Sequence, residues 1–102
     1  MNIDLLSEKI KRLIEKYGVK FKLERADGSS AGSVIGVIDE EVKRDLNGTI
    51  SVTKVMFMSG SSKVKPEIGL FVADEKNTFR IGLVETVRPT GRVLIYKVVF
   101  DV

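Results

Sequence analysis

The spacing of apolar residues changes its period once, at Gly18, and this change divides the chain into a helical part and a strand-rich part. Between residues 3 and 17 the apolar positions recur at intervals of three and four, which is typical of an amphipathic helix with one packed face. Asp4 is a candidate N-cap for this helix, and Gly18 is a candidate stop. The pattern therefore predicts an N-terminal helix over residues 3–17.

Beyond Gly18, apolar residues alternate with polar ones or form short runs between turn residues, which indicates strands. Tight turns are predicted at residues 74–77 and 88–92, where Asp, Asn, Pro and Gly are concentrated. The strands are short and too few for a sandwich of two full sheets. We therefore predict a mostly β fold: a small antiparallel β-barrel of SH3 or OB size over residues 19–102, with the N-terminal helix capping one end.

The middle of the chain departs from this pattern. Charged residues crowd the stretch Asp39–Gly48, and serine and glycine fill Ser59–Ser62. We predict a long mobile loop over about residues 39–62, with strand character returning inside it from Thr49 to Met58. Near Lys54 the apolar residues of that inner stretch change from even-numbered to odd-numbered positions, and so from one face of the strand to the other. This change predicts a β-bulge there.

The last predicted strand, residues 93–102, is apolar at nearly every position. One interpretation makes it a central strand covered on both faces, with the N-terminal helix above it. The other makes it a strand that contacts neighbouring subunits. The second interpretation assigns that contact to Val93, Ile95, Tyr96, Val98 and Phe100.

Length and composition indicate one domain, residues 1–102. A chain of 102 residues with 43% apolar and 30% charged residues can bury a core and keep a polar surface. No apolar run approaches the length of a membrane span, and the N-terminal segment lacks the apolar centre of a signal peptide. We expect a protein that stays where it is made and has no membrane partner.

The sequence contains no histidine and no cysteine, which excludes Ser-His and Cys-His catalysis and thiolate metal sites. We therefore expect neither an enzyme nor a bound cofactor. Asp39, Glu40, Glu41 and Asp45 form an acidic cluster, but it lacks the ligand alternation and glycine of a calcium loop, which favours a solvated segment. The segment Gly28–Gly32 lacks the lysine of a phosphate-binding loop and is interpreted as a turn.

The net charge of +3 is a mild excess, and acids and bases are interleaved along most of the chain. A small nucleic-acid-binding barrel is nevertheless an alternative function. Phe21 shares the phase of the core positions, which argues against its stacking on a base. That alternative would use Lys9, Arg12, Lys16, Lys20 and Lys22, with Tyr17 or Phe21 as stacking platforms. A peptide-binding adaptor is a third possibility.

Four short motifs in the second half carry a family resemblance: Lys65–Gly69 (KPEIG), Thr78–Val87 (TFRIGLVETV), Pro89–Gly91 (PTG) and Leu94–Val98 (LIYKV). Together they resemble the small head-tail joining (head closure or stopper) proteins of siphophages. The resemblance covers the last forty residues or so by motif, and the first sixty by order of elements. Leu70 stands where an acidic residue often follows the glycine in that family.

The resemblance implies a structural neck protein of a phage or prophage. Such a protein assembles as a ring that joins portal and adaptor to the tail and helps to retain packaged DNA. It would occur in the host cytoplasm during assembly and then in the virion neck. The resemblance also implies a mid-chain loop that projects into the channel, and by element order it would place Lys43, Arg44, Lys54 and Lys63 near DNA phosphates.

Overall fold

The computed structural model describes residues 2–101, which form one helix and six strands. The elements are α1 (Ile3–Tyr17), β1 (Val19–Glu24), β2 (Ser30–Arg44), β3 (Ile50–Ser59), β4 (Phe71–Ala73), β5 (Thr78–Val87) and β6 (Ile95–Phe100). All paired strands are antiparallel, and the order β1-β2-β3-β6-β5-β4 closes on itself because β4 also pairs with β1. The prediction of a mostly β fold, with a small antiparallel barrel and an N-terminal helix, is confirmed.

Alternate residues of the strands point inward and form a single core. Burying each of the larger apolar side chains contributes about 1.5–3 kcal/mol relative to leaving it in water. Every strand supplies at least one of these side chains, so the core holds the closed sheet together. The core residues are Phe21, Leu23, Val34, Met56, Met58, Val72, Ile81, Tyr96, Val98 and Phe100.

The N-cap of the helix lies two residues earlier than the sequence suggested. The Asn2 side chain accepts a hydrogen bond from the Leu5 amide at 3.1 Å, so Asn2 is the N-cap and the prediction of Asp4 is wrong. Asp4 lies in the first turn, where its negative charge suits the positive end of the helix. At the other end the helix stops at Gly18, as predicted. A Cβ there would stand 2.4 Å from the Ile14 carbonyl oxygen.

The helix packs on the outer wall of the barrel. The prediction that it caps one end of the barrel is therefore wrong. Ile14 is buried in a groove that it shares with Ile35 of β2 and Ser59 of β3. Both of those residues alternate with core positions, so their side chains point outward. The apolar stripe of the helix therefore covers the outside of β2 and β3.

Strand β2 is long because it pairs with two different neighbours in succession. Its residues 30–36 pair with β1, and its residues 37–44 pair with β3. Strand β3 in turn pairs with β6 only from Val55 onward. Residues 39–54 therefore leave the barrel as a two-stranded hairpin, which we call the arm. The radius of gyration of 14.4 Å exceeds the ~13 Å expected for a compact chain of this length, in agreement with a projecting element.

The long loop predicted over about residues 39–62 is therefore wrong for most of its length, whereas the strand character predicted within it from Thr49 to Met58 is confirmed by β3. Its residues are paired in β2 and β3, and only the turns at 45–49 and after Ser59 interrupt the strands. A two-stranded ribbon with solvent on both sides needs no alternation of apolar and polar residues, which is why the pattern did not indicate a strand. The bulge predicted near Lys54 is also wrong, because the register of β2 with β3 is continuous. The apolar residues change face at the point where β3 leaves the arm and joins the barrel wall.

Strand β6 lies between β3 and β5, so the central position of the first interpretation is confirmed. The expected cover by the helix is wrong, because the helix lies over β2 and β3 and the outward residues of β6 are only half-buried. The subunit-contact role is wrong for Tyr96, Val98 and Phe100, because their side chains fill the core and are at most 7% exposed. Val93 and Ile95 are half-buried. The predicted end of this strand at Val102 lies outside the described residues.

Candidate assembly surfaces

The arm carries an apolar strip on the face that continues the inner wall of the barrel. Val42 and Val52 stand directly opposite each other in the register, and Arg44 stands opposite Ile50. Leu46 lies in the turn at the tip. The four apolar side chains of the arm are 50% exposed or more, and the Leu46 side chain is fully exposed. Apolar residues collected on one projecting element are typical of a protein contact.

The base of the arm is fixed to the mouth of the barrel by a contact between Lys54 and one of two stacked aromatic rings. The rings of Phe79 and Phe100 have their centroids 5.1 Å apart at an interplanar angle of 28°. The Lys54 ammonium lies 5.2 Å from the centroid of Phe79, a distance at which a cation is attracted to the ring face. This contact ties β3 of the arm to β5.

An ion-pair network fixes the opposite face of the arm. The Glu41 carboxylate pairs with Lys97 of β6 and, at 3.2 Å, with Lys43 on its own strand. Because β3 lies between β2 and β6, the pair with Lys97 crosses over β3. The hydrogen bonds from Lys97 and Lys43 lower the pKa of Glu41, and the hydrogen bond to Glu41 raises the pKa of Lys97.

The basic residues predicted to face DNA do not form one cluster. Lys43, Arg44 and Lys54 lie on the arm, but Lys63 lines the groove beside the helix. The acidic cluster, Asp39, Glu40, Glu41 and Asp45, lies on the same arm. The arm thus carries four acidic and three basic residues, with a net charge of −1. Within residues 2–101 no group of acidic side chains is arranged to hold a metal ion.

The groove between the helix and the barrel wall has a volume of about 490 Å³. Its floor includes the apolar side chains of Ile14 and Ile35, and its rim carries the basic residues Lys11, Lys20 and Lys63. Glu15 is the acidic residue that lines it. Three basic residues against one acidic residue make this groove basic.

Two further apolar patches lie on different walls of the barrel. The helix-side patch consists of Leu13, Tyr17 and Ile35, each at least 40% exposed. Leu13 and Tyr17 are one turn apart on the helix, and a Cβ at Gly18 would stand 2.9 Å from the Ile35 side chain. The helix contacts β2 and β3, and Ile35 belongs to β2, so this patch lies on a different wall of the barrel from the β5–β6 wall.

The second patch, which we call the β5–β6 patch, is built from cross-strand pairs. Leu83 stands opposite Val99, and Val87 stands opposite Ile95, with the pair Glu85 and Lys97 between them. Leu83 and Val87 are 45% and 49% exposed, and their β6 partners are half-buried. These four apolar residues form the β5–β6 patch. Ile95 is the member that the sequence had already assigned to subunit contact.

The residues proposed for nucleic-acid stacking are separated by the fold. Phe21 is 4% exposed in the core, so its ring is inaccessible to a base. Tyr17 is exposed, and the Lys16 ammonium lies 5.3 Å from its ring centroid. Arg12 pairs with Glu8 at 3.4 Å, one turn away on the helix. The helix face therefore carries an Arg12–Glu8 ion pair beside one exposed aromatic ring.

A scan against models of protein families found no match, and a search among curated proteins found no significant match. No helix within residues 2–101 is long and apolar enough to cross a membrane. The function is therefore argued from the surfaces of the molecule.

Proposed function

We propose that this protein is a structural, non-catalytic subunit of a phage or prophage neck. In this proposal copies of the chain form a ring that joins portal and adaptor proteins to the tail and helps to retain packaged DNA. The resemblance of the motifs between residues 65 and 98 to siphophage head-tail joining proteins suggested the class. The surfaces of the barrel supply an independent reason to consider a ring.

The observation that carries the proposal is the pair of apolar patches on different walls of one barrel. A contact between two different patches is heterologous, and repeating it around an axis produces a closed ring when the rotation permits. The helix-side patch of one copy would contact the β5–β6 patch of the next. Each contact can be modest, because closure of the ring makes the contacts support one another.

In such a ring the arm would extend along or into the central channel. Its length is about 20 Å, from six residues of β2 and the turn at roughly 3.3 Å per residue. With a net charge of −1, the arm would obstruct DNA by its bulk, and attraction to phosphates would contribute little. The hydrogen-bonded base of the arm suits a stiff obstruction.

The test is binding of the purified chain to a portal–adaptor complex encoded by the same genome, observed by electron microscopy. We expect a ring of additional density below the adaptor. Leu83→Glu and Tyr17→Glu, one in each patch, are expected to abolish the ring. Ile68→Glu is the matched control, because Ile68 is 63% exposed and lies in neither patch.

The proposal fails if the wild-type chain does not bind the complex, or if both patch variants bind as well as Ile68→Glu. Retention of the isolated chain on immobilised DNA, weakening steeply with salt, would favour the nucleic-acid-binding alternative. The basic groove lined by Lys11, Lys20 and Lys63 is the surface that such binding would use. Substituting Lys63 would then reduce the retention.

A further inference from the structure

Strand β2 has an unpaired edge along the whole arm. Its pairing with β1 ends at Gly36, while its pairing with β3 continues to Arg44. From Val37 onward, the edge that faced β1 has no strand partner among the described residues. An open strand edge is a template for a further strand, and proteins usually cover or protect such edges.

The hydrogen-bond pattern identifies which residues offer their backbone groups to a partner. The Asp45 amide donates to the Thr49 carbonyl oxygen at 3.0 Å, which closes the arm at its turn. In an antiparallel pair, residues that bond across the ladder alternate with residues that do not. Counting back from Asp45, the amides and carbonyls of Glu40, Val42 and Arg44 therefore point toward the open edge. In the single chain the Glu40 amide donates to the Asp39 carboxylate at 2.8 Å, so Val42 and Arg44 are the residues that offer both backbone groups to a partner.

The charges along this edge change sign about Val42. The sequence Glu40-Glu41-Val42-Lys43-Arg44 has two acids before the valine and two bases after it. Suppose that a second copy pairs antiparallel, with Val42 opposite Val42. Glu40 of each copy then faces Arg44 of the other copy, and Glu41 of each copy faces Lys43 of the other. Opposite charges directly across a ladder are favourable, and like charges are unfavourable.

Neighbouring registers do not have this property. The residues whose backbone groups face the open edge have even numbers. Any other register must therefore also place an even-numbered residue of one chain opposite an even-numbered residue of the other. The next register in one direction is centred on residue 41 and places Glu41 opposite Glu41. The next register in the other direction is centred on residue 43 and places Lys43 opposite Lys43. Only the register centred on Val42 avoids like charges between residues 40 and 44. Its one unfavourable pair is Asp39 with Asp45, whose carboxylates already accept backbone amides of their own chain.

We propose that two copies of this chain dimerise by antiparallel pairing of the β2 edge of the arm, centred on Val42. The contact is isologous, so it closes after two copies. It uses neither of the two barrel patches, and it does not depend on the proposed function. Pairing covers the open edges and places the exposed Val42 side chains next to each other.

The test is the oligomeric state of the purified chain by analytical ultracentrifugation at rising concentration, up to about 1 mM, the weak limit of specific association. We expect the mass to rise from 11.3 kDa toward twice that value. Glu40→Arg and Arg44→Glu should each lose the dimer, because each places like charges at positions 40 and 44. A mixture of the two variants should recover it as a heterodimer, because the charges across the ladder are again opposite.

A second variant tests the backbone contact separately. Val42→Pro removes the amide at the centre of the edge without removing a bond to β3, and proline is tolerated on an edge strand. It should abolish the dimer, whereas Val42→Thr, which keeps the amide, should retain it. A wild-type monomer at the highest concentration, or a dimer that survives Val42→Pro, overturns the proposal. So does failure of the mixed charge variants to associate while each retains the thermal unfolding of the wild type.

Discussion

Gly36 and Met56 offer a test of how the barrel core is packed. Gly36 lies on the inner side of β2, and a Cβ at this position would stand 2.5 Å from both Cγ and Sδ of Met56. Met56 is fully buried in the core. Since Gly36 does not have a positive φ, alanine is excluded there by the methionine side chain and not by the backbone.

The magnitudes follow from this contact. Overpacking a core by one methyl group costs about 1–3 kcal/mol, and replacing glycine by alanine in a strand returns about 0.5–1 kcal/mol. Gly36→Ala alone should therefore lower the free energy of unfolding by roughly 0.5–2 kcal/mol. Met56→Ala should lower it by about 2–5 kcal/mol through the cavity that it leaves.

In the double variant the added methyl group occupies space that the methionine has vacated. We expect Gly36→Ala to be neutral or stabilising in the Met56→Ala background, so the double variant should be about 1–3 kcal/mol more stable than the sum of the single changes. Urea unfolding of the four proteins measures this coupling. Ile81→Val on the opposite wall is the control, and its cost should add to that of Gly36→Ala within about 0.5 kcal/mol. Equal costs of Gly36→Ala in the two Met56 backgrounds would refute the packing argument.

Three other predictions concern stability. Gly60→Ala should lower the free energy of unfolding in a urea titration by about 3 kcal/mol or more, because its Cβ would stand 2.0 Å from the Val93 carbonyl oxygen. Gly28 has a positive φ and no neighbour near its Cβ position, so Gly28→Ala should cost only about 1–2 kcal/mol in the same titration. Ile14→Ala should cost about 2–5 kcal/mol by thermal unfolding, and the exposed Leu13→Ala should stay within about 0.5 kcal/mol of the wild type; similar losses would show that the helix does not pack on the wall. The pKa of Glu41 is lowered from 4.5 and the pKa of Lys97 is raised from 10.5, so their ion pair contributes to the stability of the fold between these pH values. This contribution is lost as the pH drops through the lowered pKa of Glu41, and it is lost again as the pH rises through the raised pKa of Lys97. The difference in melting temperature between the wild type and Glu41→Gln should therefore be largest near neutral pH and shrink at both extremes, and a difference independent of pH would contradict the role of this ion pair.

Much of the fold could be predicted from the sequence because burial on one face leaves a clear period. The helix over residues 3–17 and the turn at Asp74–Asn77 were both identified in this way. The turn also shows why: the Asp74 carboxylate accepts the amides of Lys76 and Asn77 at 2.8 and 2.6 Å, a local contact that three residues encode by themselves. Local capping and one-sided burial need no knowledge of the rest of the chain.

The surfaces were harder to predict because they depend on which strands become neighbours. Leu83 and Val87 alternate within β5 like core residues, and only the register shift between Ile81 and Leu83 turns them outward. Gly82 lies at that shift, and a Cβ there would stand 2.0 Å from the Asp101 carboxylate. A glycine inside an alternating strand is the signal that could have indicated the change of face.

The arm shows a different limit. A strand is usually identified by alternation of apolar and polar residues, which reflects a buried face, but residues 39–44 have no buried face within one copy of the chain. What they do have is an order of charges, acids before Val42 and bases after it. A single chain gains little from that order, because the Lys43 side chain that pairs with Glu41 is largely exposed. The order becomes favourable at every position from 40 to 44 only when a second antiparallel copy lies alongside. The same property that made the segment resemble a loop is therefore the reason to expect a partner strand there.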